Sequence, residues 1–448
     1  MMNAVFREWE FEIMEEYLYM QDHSPISTFY RDNVTRYRHY YEHIYPHPNY
    51  IIVYLEDFAR QGNGGFRLLL DFFTISDYIR FNEEFETENR NENGIPKTTF
   101  FYLENYQPKD SLVKGAHYYL DIRTLKSLIV ELKPDDGEGF PVLYSISIPL
   151  NEGQTENNKA TLLYQTQSLT YPQWVFGSLH NTNNPISISG SSNAELMVWD
   201  VNQGNFNEVK VDDQPYVIFD AGTEVLNVAV PFQPLQHKLT VELQQANVPM
   251  FVLSHWHTDH YSLLFAQSNN DLLRIAYYVL PSYVKSVSVF CFIARLQQIG
   301  ACINMVVLPF SNPWVKYVIN TSLTLYANKY VTSSVNNSGL TLFVQGPTNN
   351  AMLPGDGRYK IAEAQTKDSI LLPMTASQMH YLVIPHHGGD AGTVSYVIPN
   401  ARSIEGVVSV GANNRHRHPN VAVIGKLGRF LQPNIEMTMT HGDIVKVL

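Results

Sequence analysis

The motif with the clearest chemistry is the run S-H-W-H-T-D-H, residues 254–260, which directly follows the strand-like segment MFVL. His255 and His257, two residues apart on a loop, can turn both imidazoles toward one cation. Asp259 and His260 then face a neighbouring position, so one short loop can serve two metal ions. The motif therefore predicts a binding site for divalent cations.

Further candidate ligands follow three other strand-like runs. Asp356 comes after a glycine in LPGDG, where a carboxylate near a strand end can bridge two metals. In IPHHGG we expect His386, the residue next to the strand, to be the ligand, and His387 to contact substrate or to transfer protons. Asp220 ends the run VIFDA and can orient a ligand histidine from behind.

The segment SVGANNRHRHP, residues 409–419, carries groups that suit phosphoryl oxygens. We expect Asn413, Asn414 and Arg415 to bind substrate, since amides and guanidinium groups pair well with such oxygens. His418 would stabilise charge on the phosphoryl group or protonate the leaving group. The candidate catalytic residues are thus Asp259, His387 and His418.

The order of these motifs resembles that of the metallo-β-lactamase-fold hydrolases, and within them the hydrolase domain of ComEC-type competence proteins. The run DVNQGN at 200–205 is similar to the family's D-V-G-Q-G-D, and VIFDAG, SHWHTDH, LPGD, HHGG and SVGANNRHRHP follow in the family's order. The resemblance covers about 193–448. It implies an αββα sandwich with a metal site at one edge of two packed sheets. It also implies hydrolysis of a phosphoester, and in the ComEC-type relatives that phosphoester is DNA.

The sequence departs from the family pattern in two ways that concern the site. Asn202 and Asn205 replace a glycine and an acid. No histidine occurs between His260 and His380, where many superfamily members have one more ligand. The first metal position is therefore expected to have few protein ligands.

Composition and turn residues suggest an ordinary folded protein with two parts. The chain has 448 residues, 44% hydrophobic and 17% charged, which favours two or three domains. The turn-rich stretch HNTNNPISISGSSN predicts a boundary, with an α+β N-terminal domain of unknown type at 1–185 and the α/β hydrolase domain at 193–448. Apolar runs such as MFVL and YLVI predict buried strands, and DLLRIAYYVL and SVFCFIARLQQIG predict helices.

Charge and cysteine content restrict the partners and the compartment. Lys and Arg number 31 against 43 Asp and Glu, a net charge of −12, which excludes a basic protein that coats DNA. Two cysteines form no disulfide framework, which favours a reducing compartment. The most apolar segment, 277–294, contains Lys285 and Pro281, so no membrane span is expected and the cytoplasm is the predicted location.

Three functions are compatible with these features. The first is a metal-dependent phosphodiester hydrolase, a nuclease for DNA or RNA with two divalent ions, zinc or manganese. His255 and His257 would hold one ion, Asp259, His260 and His386 the other, and Asp356 both. The second is hydrolysis of a small phosphodiester, a nucleotide signal or a headgroup, which the charge of −12 favours. The third is a non-catalytic or partner-activated module with a vestigial metal site, whose N-terminal domain recognises a protein partner.

Overall fold

The computed structural model describes residues 49–73, 75–85, 98–108, 111–129, 131–134, 140–142, 144–147, 162–164, 188, 193–226, 231–283, 286–309, 311–329, 335–370, 379–394, 403–412, 414–431 and 435–448. The chain divides into two compact units. The N-terminal unit comprises Met1–Pro134, Val142–Gln167 and Ser286–Cys291. The C-terminal unit comprises Asp135–Pro141, Ser168–Lys285 and Phe292–Leu448. The boundary expected between 185 and 193 falls largely outside the described residues.

The N-terminal unit is built on a seven-stranded sheet of order β5-β6-β3-β2-β1-β4-β7. Its elements are β1 Tyr50–Arg60, β2 Phe66–Phe72, α1 Ile75–Phe85, β3 Phe101–Tyr106, β4 His117–Asp121, α2 Ile122–Leu128, β5 Glu131–Pro134, β6 Tyr144–Ser147 and β7 Leu162–Tyr164. The pair β3 and β6 is parallel, and the other pairs are antiparallel. Rings of Phe72, Phe81 and Phe101 pack with centroids 5.0–5.3 Å apart and join α1 to the sheet.

The C-terminal unit contains two seven-stranded sheets. The first has the order β13-β12-β11-β10-β9-β8-β21 and the second β14-β15-β16-β17-β18-β19-β20. Their strands are β8 Ala194–Val198, β9 Phe206–Val211, β10 Gln214–Ala221, β11 Val248–Val252, β12 Ile275–Pro281, β13 Cys302–Val306, β14 Trp314–Val318, β15 Leu323–Asn328, β16 Leu340–Gln345, β17 Asn350–Leu353, β18 Met379–Val383, β19 Ser403–Val408, β20 Glu436–Met437 and β21 Ile444–Val447.

The remaining helices are α3 Phe232–Gln245, α4 Thr258–Phe265, α5 Asn269–Leu272, α6 Val287–Gln298, α7 Tyr359–Ile370, α8 Val421–Leu427 and α9 Thr438–His441. The first residues of α6, up to Cys291, belong to the N-terminal unit. Side chains such as Val217 and Leu342 meet between the two sheets in one core. On the other face of the second sheet, Tyr359 of α7 and Leu427 of α8 join a separate apolar cluster, and α4 packs on β10 and α3. The αββα sandwich is therefore confirmed.

Strand direction places the motif loops at one edge of each sheet. β10 and β11 are parallel, so the ends that carry Asp220 and the 254–260 loop lie side by side. β17, β18 and β19 are also parallel, so the loops that carry Asp356, His387 and His418 leave the same edge of the second sheet. Ligands commonly bind at the carboxyl ends of parallel strands, where such loops meet.

One predicted helix is wrong. The segment DLLRIAYYVL forms the short helix α5 and then strand β12, which pairs in parallel with both β11 and β13. A central parallel strand is apolar on both faces, so it lacks the alternation that separates a strand from a buried helix. Among the described residues, no helix is long and apolar enough to cross a membrane.

Candidate metal centre

The loop after β11 carries four candidate ligands, and all four are buried. Nε2 of His255 lies 3.0 Å from Nδ1 of His257, so two ring nitrogens meet at one point. Helix α4 begins at Thr258, with His257 in an extended conformation at its N-terminal cap. Asp259 and His260 belong to the first helical turn. The change from loop to helix therefore separates the first pair of ligands from the second.

Asp356 lies between these two pairs. Its Oδ1 is 3.2 Å from Nε2 of His260, and its Oδ2 is 3.8 Å from Nε2 of His255. Burial raises the pKa of Asp356, but the charges of His260, His386 and His387 outweigh this effect and hold the pKa well below its ordinary value. The carboxylate is therefore an anion in the interior, with one oxygen toward each half of the loop.

His386 and His387 occupy a left-handed turn after β18, with φ of 54° and 51°. Such backbone costs non-glycine residues about 1–2 kcal/mol each, and strain of this kind concentrates at functional sites. Nε2 of His387 lies 3.5 Å from Oδ2 of Asp259 and 3.8 Å from Oδ1 of Asp356. Its Nδ1 donates a hydrogen bond to the carbonyl oxygen of Ser409 at 2.9 Å. The second histidine of the pair thus faces the cluster.

This placement differs from the sequence expectation, which favoured His386 as the ligand and His387 as the substrate contact. The ring of His386 packs against that of His418, with centroids 5.2 Å apart. Among the described residues, the groups with the spacing of metal ligands include His387 and neither His386 nor His257. Both residues have left-handed backbone, so the direction of their side chains cannot be inferred from an extended strand that simply continues.

Asp220 supports His260 from behind. It is fully buried, has a φ of 60° and lies where the pairing register of β10 with β9 shifts. Its Oδ1 accepts the backbone N–H of Ser254 at 2.6 Å, and its Oδ2 accepts the Nδ1–H of His260 at 2.8 Å. Burial lowers the pKa of His260, but Asp356 and Asp220 outweigh it and raise the pKa well above its ordinary value. A proton and a metal ion therefore compete for Nε2 of His260.

Two groups of potential ligands share His260. One joins it to His255 and Asp356, and the other joins it to Asp259 and His387. Three of these buried atoms, Nε2 of His260, Nε2 of His387 and Oδ1 of Asp356, make no aligned hydrogen bond with any described residue. Buried polar atoms are ordinarily paired, and imidazole nitrogens with carboxylate oxygens are typical ligands of divalent metals. The residues present therefore fit a metal centre.

Two glycines let the loops approach closely enough to form this cluster. A Cβ on Gly222 would lie 2.4 Å from the backbone of Asp259. A Cβ on Gly355, whose φ is 59°, would lie 2.6 Å from the Cβ of Ser254. Only glycine fits both positions, and the two contacts fix the loops that carry Asp259 and Asp356.

The segment expected to bind substrate is only partly described. Asn413 lies outside the described residues. Asn414 braces its own loop, since its Nδ2 donates to the carbonyl oxygen of Gly411 at 2.8 Å and its Oδ1 accepts the backbone N–H of His418 at 2.8 Å. These bonds hold the backbone that presents His418.

Arg415 and His418 lie in two different environments. The guanidinium of Arg415 pairs with Glu224, and burial lowers the pKa of Arg415 to about 9. Burial also lowers the pKa of His418 to about 4, with the charges of His387 and His386 acting in the same direction. His418 is therefore neutral, and its ring centroid lies 6.5 Å from that of His387.

Sequence reasoning missed three partners of the candidate ligands. Ser254 begins the motif and has its Oγ 3.0 Å from Nδ1 of His255. In the sequence, the position of Ser254 between the strand and the first histidine of the motif is the feature that could have indicated this contact. Ser409 acts through its carbonyl oxygen, which has no signature in the residue type. Glu224 pairs with an arginine 191 positions later, which no local pattern reveals.

No protein-family model matches this chain, and no curated protein matches it. Solved structures similar to it include one described as a metal-dependent hydrolase, from Parabacteroides distasonis, at 11% identity over 55% of this chain and 92% of that one, with a TM-score of 0.28. CmlA, a diiron β-hydroxylase from Streptomyces venezuelae, is 8% identical over 89% and 76%, with a TM-score of 0.36.

A third similar structure is described as a zinc-dependent hydrolase of the metallo-β-lactamase superfamily, from Thermotoga maritima. It is 10% identical over 53% of this chain and 86% of that one, with a TM-score of 0.23. At these identities the similarity concerns the fold alone, so the chemistry of the site rests on its own residues.

Proposed function

We propose that the C-terminal unit holds two divalent metal ions, zinc or manganese, and hydrolyses a phosphodiester. The observation that carries this proposal is the convergence of Nε2 of His260, Nε2 of His387 and Oδ1 of Asp356, all buried and without an aligned hydrogen bond to any described residue. Two ions held by these residues would supply a hydroxide nucleophile at neutral pH and Lewis-acid stabilisation of phosphoryl oxygens.

The ligands are divided between two positions. His255 and Asp356 would serve the first, joined by His257, which the motif and its contact with His255 favour. Asp259, His260 and His387 would serve the second, and Asp356 lies close enough to His260 and His387 to serve it as well. His260 and His387 each donate Nδ1–H to a fixed acceptor, Asp220 and the carbonyl of Ser409, so their Nε2 atoms are held toward the cluster. The first position would have fewer protein ligands, in keeping with the absence of any histidine between His260 and His380.

His418 is the proposed residue for the phosphoryl group. Its lowered pKa, about 4, keeps the imidazole neutral, so it can donate one N–H to a phosphoryl oxygen without repelling the ligand histidines. His386, whose ring packs against it, is the second imidazole beside the cluster. We propose that both contact substrate, while Asp259 and His387 act as ligands.

The proposed substrate is DNA or RNA, as the motif resemblance implies. One observation favours a small phosphodiester as the second candidate: Arg415, the cation expected to bind phosphate, is paired with Glu224, and the chain has a net charge of −12. Polyanion binding depends strongly on salt concentration, whereas a small phosphodiester releases few counterions.

An activity assay tests the proposal. Labelled single- and double-stranded DNA and RNA, and bis(p-nitrophenyl) phosphate as a small phosphodiester, are incubated with the chain in Mn²⁺ or Zn²⁺. We expect wild-type activity in Glu195→Gln, which neutralises a carboxylate on β8, and background activity in Asp356→Asn. Cleavage of the small ester alone, with little salt dependence, would favour the second candidate. Equal turnover by wild type and Asp356→Asn would contradict the proposal, and metal binding without turnover of any probe would favour the non-catalytic module.

The two adjacent histidines provide a matched pair for the ligand assignment. His387→Ala should lose about one equivalent of bound metal, because its Nε2 faces Asp259 and Asp356. His386→Ala should keep the wild-type metal content and lose turnover. Loss of bound metal in His386→Ala, with wild-type metal content in His387→Ala, would instead assign His386 as the ligand.

A further inference from the structure

The hydroxyl of Ser254 lies between ligands of the two proposed metal positions. Its Oγ is 2.8 Å from Oδ2 of Asp220, 3.0 Å from Nδ1 of His255 and 3.2 Å from Nδ1 of His260. Ser254 is 1% exposed. One buried oxygen therefore contacts an imidazole from each position and the carboxylate behind them.

The donors and acceptors around this oxygen are fixed by the carboxylate. Oδ1 of Asp220 accepts the backbone N–H of Ser254, and Oδ2 lies 2.8 Å from both Oγ of Ser254 and Nδ1 of His260, so we assign the Oγ–H and the Nδ1–H as donors to this carboxylate. The single O–H of Ser254 is then engaged as a donor to Asp220, so its Oγ can only accept at the 3.0 Å contact, from the Nδ1–H of His255. Both imidazoles are held as the tautomer whose Nε2 is free of a proton, which is the form that binds a metal ion.

We propose that Ser254 is a positioning residue shared by both metal positions, which sets the tautomer and ring orientation of His255 and His260 together. This inference rests on the proposed metal centre. Nδ1 of His260 is 2.8 Å from Oδ2 of Asp220 and 3.2 Å from Oγ of Ser254, so Asp220 is its nearer acceptor. Loss of the Ser254 hydroxyl therefore affects the first metal position, which His255 serves, more than the second.

Ser254 is also fixed from the opposite side. A Cβ on Gly355 would lie 2.6 Å from the Cβ of Ser254 and 2.8 Å from the Oγ of Ser254. The loop that carries Asp356 therefore presses on Ser254, which leaves no room for a larger side chain. Alanine, which removes only the hydroxyl, is the appropriate substitution.

Titration of the full chain with Co²⁺, followed by its visible absorption, tests the inference with a readout other than activity. Ser262→Ala is the matched control, since Ser262 is a buried serine whose Oγ bonds only the backbone of Thr223 in the contacts described. We expect Ser254→Ala to bind the weaker ion about 10–100-fold less tightly and to shift the Co²⁺ spectrum. Ser262→Ala should keep the wild-type affinities and spectrum.

The possible results distinguish failure of the role proposed for Ser254 from failure of the proposed metal centre. Wild-type affinities and spectrum in Ser254→Ala would overturn the inference and leave the metal centre standing. A wild-type chain that binds no Co²⁺, Zn²⁺ or Mn²⁺ would overturn the metal centre itself. Thermal unfolding of both serine variants without metal checks that each is folded, and equal loss of affinity in Ser262→Ala would assign the effect to general destabilisation and also overturn the inference.

Discussion

Asp71 in the N-terminal unit and Asp220 in the C-terminal unit are both fully buried and both stand next to last in a strand. Burial raises the pKa of each carboxyl, that of Asp71 to about 6. Each accepts hydrogen bonds from a backbone N–H and from a neighbouring hydroxyl. The two residues are thus alike in burial, in the direction of the pKa shift and in accepting from a backbone N–H and a hydroxyl.

They differ in where their hydrogen bonds lead. Asp71 accepts from Thr99 Oγ1 at 2.5 Å and from the backbone N of Ser288 at 3.0 Å, and Thr99 and Ser288 also bond to each other. In the contacts described, the partners of Asp71 are hydroxyl and backbone groups and include no candidate metal ligand. Asp220 has a left-handed φ of 60° at a shift in strand register, and its network passes through His260 to an atom that faces the metal cluster. A buried carboxylate thus indicates function when its partners lead to ligand atoms.

The largest expected effect concerns the pH dependence of stability in the N-terminal unit. The folded state keeps the proton of Asp71 up to about pH 6, whereas the unfolded chain loses it near 3.8. The folded state therefore binds more protons in this window, so the free energy of unfolding falls as pH rises through it, by about 3 kcal/mol. Urea unfolding of wild type and Asp71→Asn from pH 4 to 7, in EDTA, measures the difference. Parallel pH curves would contradict this account of Asp71.

The second effect compares metal affinity in isosteric variants of the two acids. Asp220→Asn should bind Zn²⁺ about 10–100-fold less tightly, because His260 loses the charged acceptor that holds its Nδ1–H. Asp71→Asn should stay within twofold of wild type. Competition with a chromophoric chelator gives both affinities. An equal loss in the two variants would remove the distinction between the network of Asp71 and the one that reaches the cluster.

The smallest effect concerns the serine beside Asp71. Ser288→Ala removes the acceptor of the Thr99 N–H and should lower the free energy of unfolding by about 1 kcal/mol. It should leave Zn²⁺ affinity unchanged, in contrast to the loss expected for Ser254→Ala beside Asp220. The urea midpoint measures the loss of stability, and a chelator titration on the same sample measures the Zn²⁺ affinity. Weakened metal binding in Ser288→Ala would contradict the separation.

Much of the C-terminal fold could be predicted because its strands are short apolar runs followed by polar loops. The αββα sandwich is confirmed, whereas the segment that forms β12 was predicted as a helix and is a strand. Periodicity fails there because a strand buried on both faces does not alternate. In the N-terminal unit the order of the strands depends on contacts distant in sequence, such as the pairing of β1 with β4, which local patterns do not encode.

For the candidate site, residue type and spacing predict which loops carry ligands but not which atoms meet. The spacing of His255, His257 and His260 follows from one short loop. The choice between His386 and His387 depends on a left-handed backbone turn that the letters PHHG do not specify. The role proposed for Ser254 rests on its contacts with Asp220, which lies at a register shift in another strand. Such features arise from tertiary packing and are visible only in the folded chain.

The most direct test of the central claim is the metal content of the chain after loading with Zn²⁺ or Mn²⁺ and gel filtration, measured by inductively coupled plasma mass spectrometry. Wild type and Glu195→Gln should carry about two equivalents, and Asp356→Asn, which loses the anion between both groups, should carry at most one. No bound metal in wild type, or the same content in Asp356→Asn as in wild type, would contradict a metal centre built around Asp356.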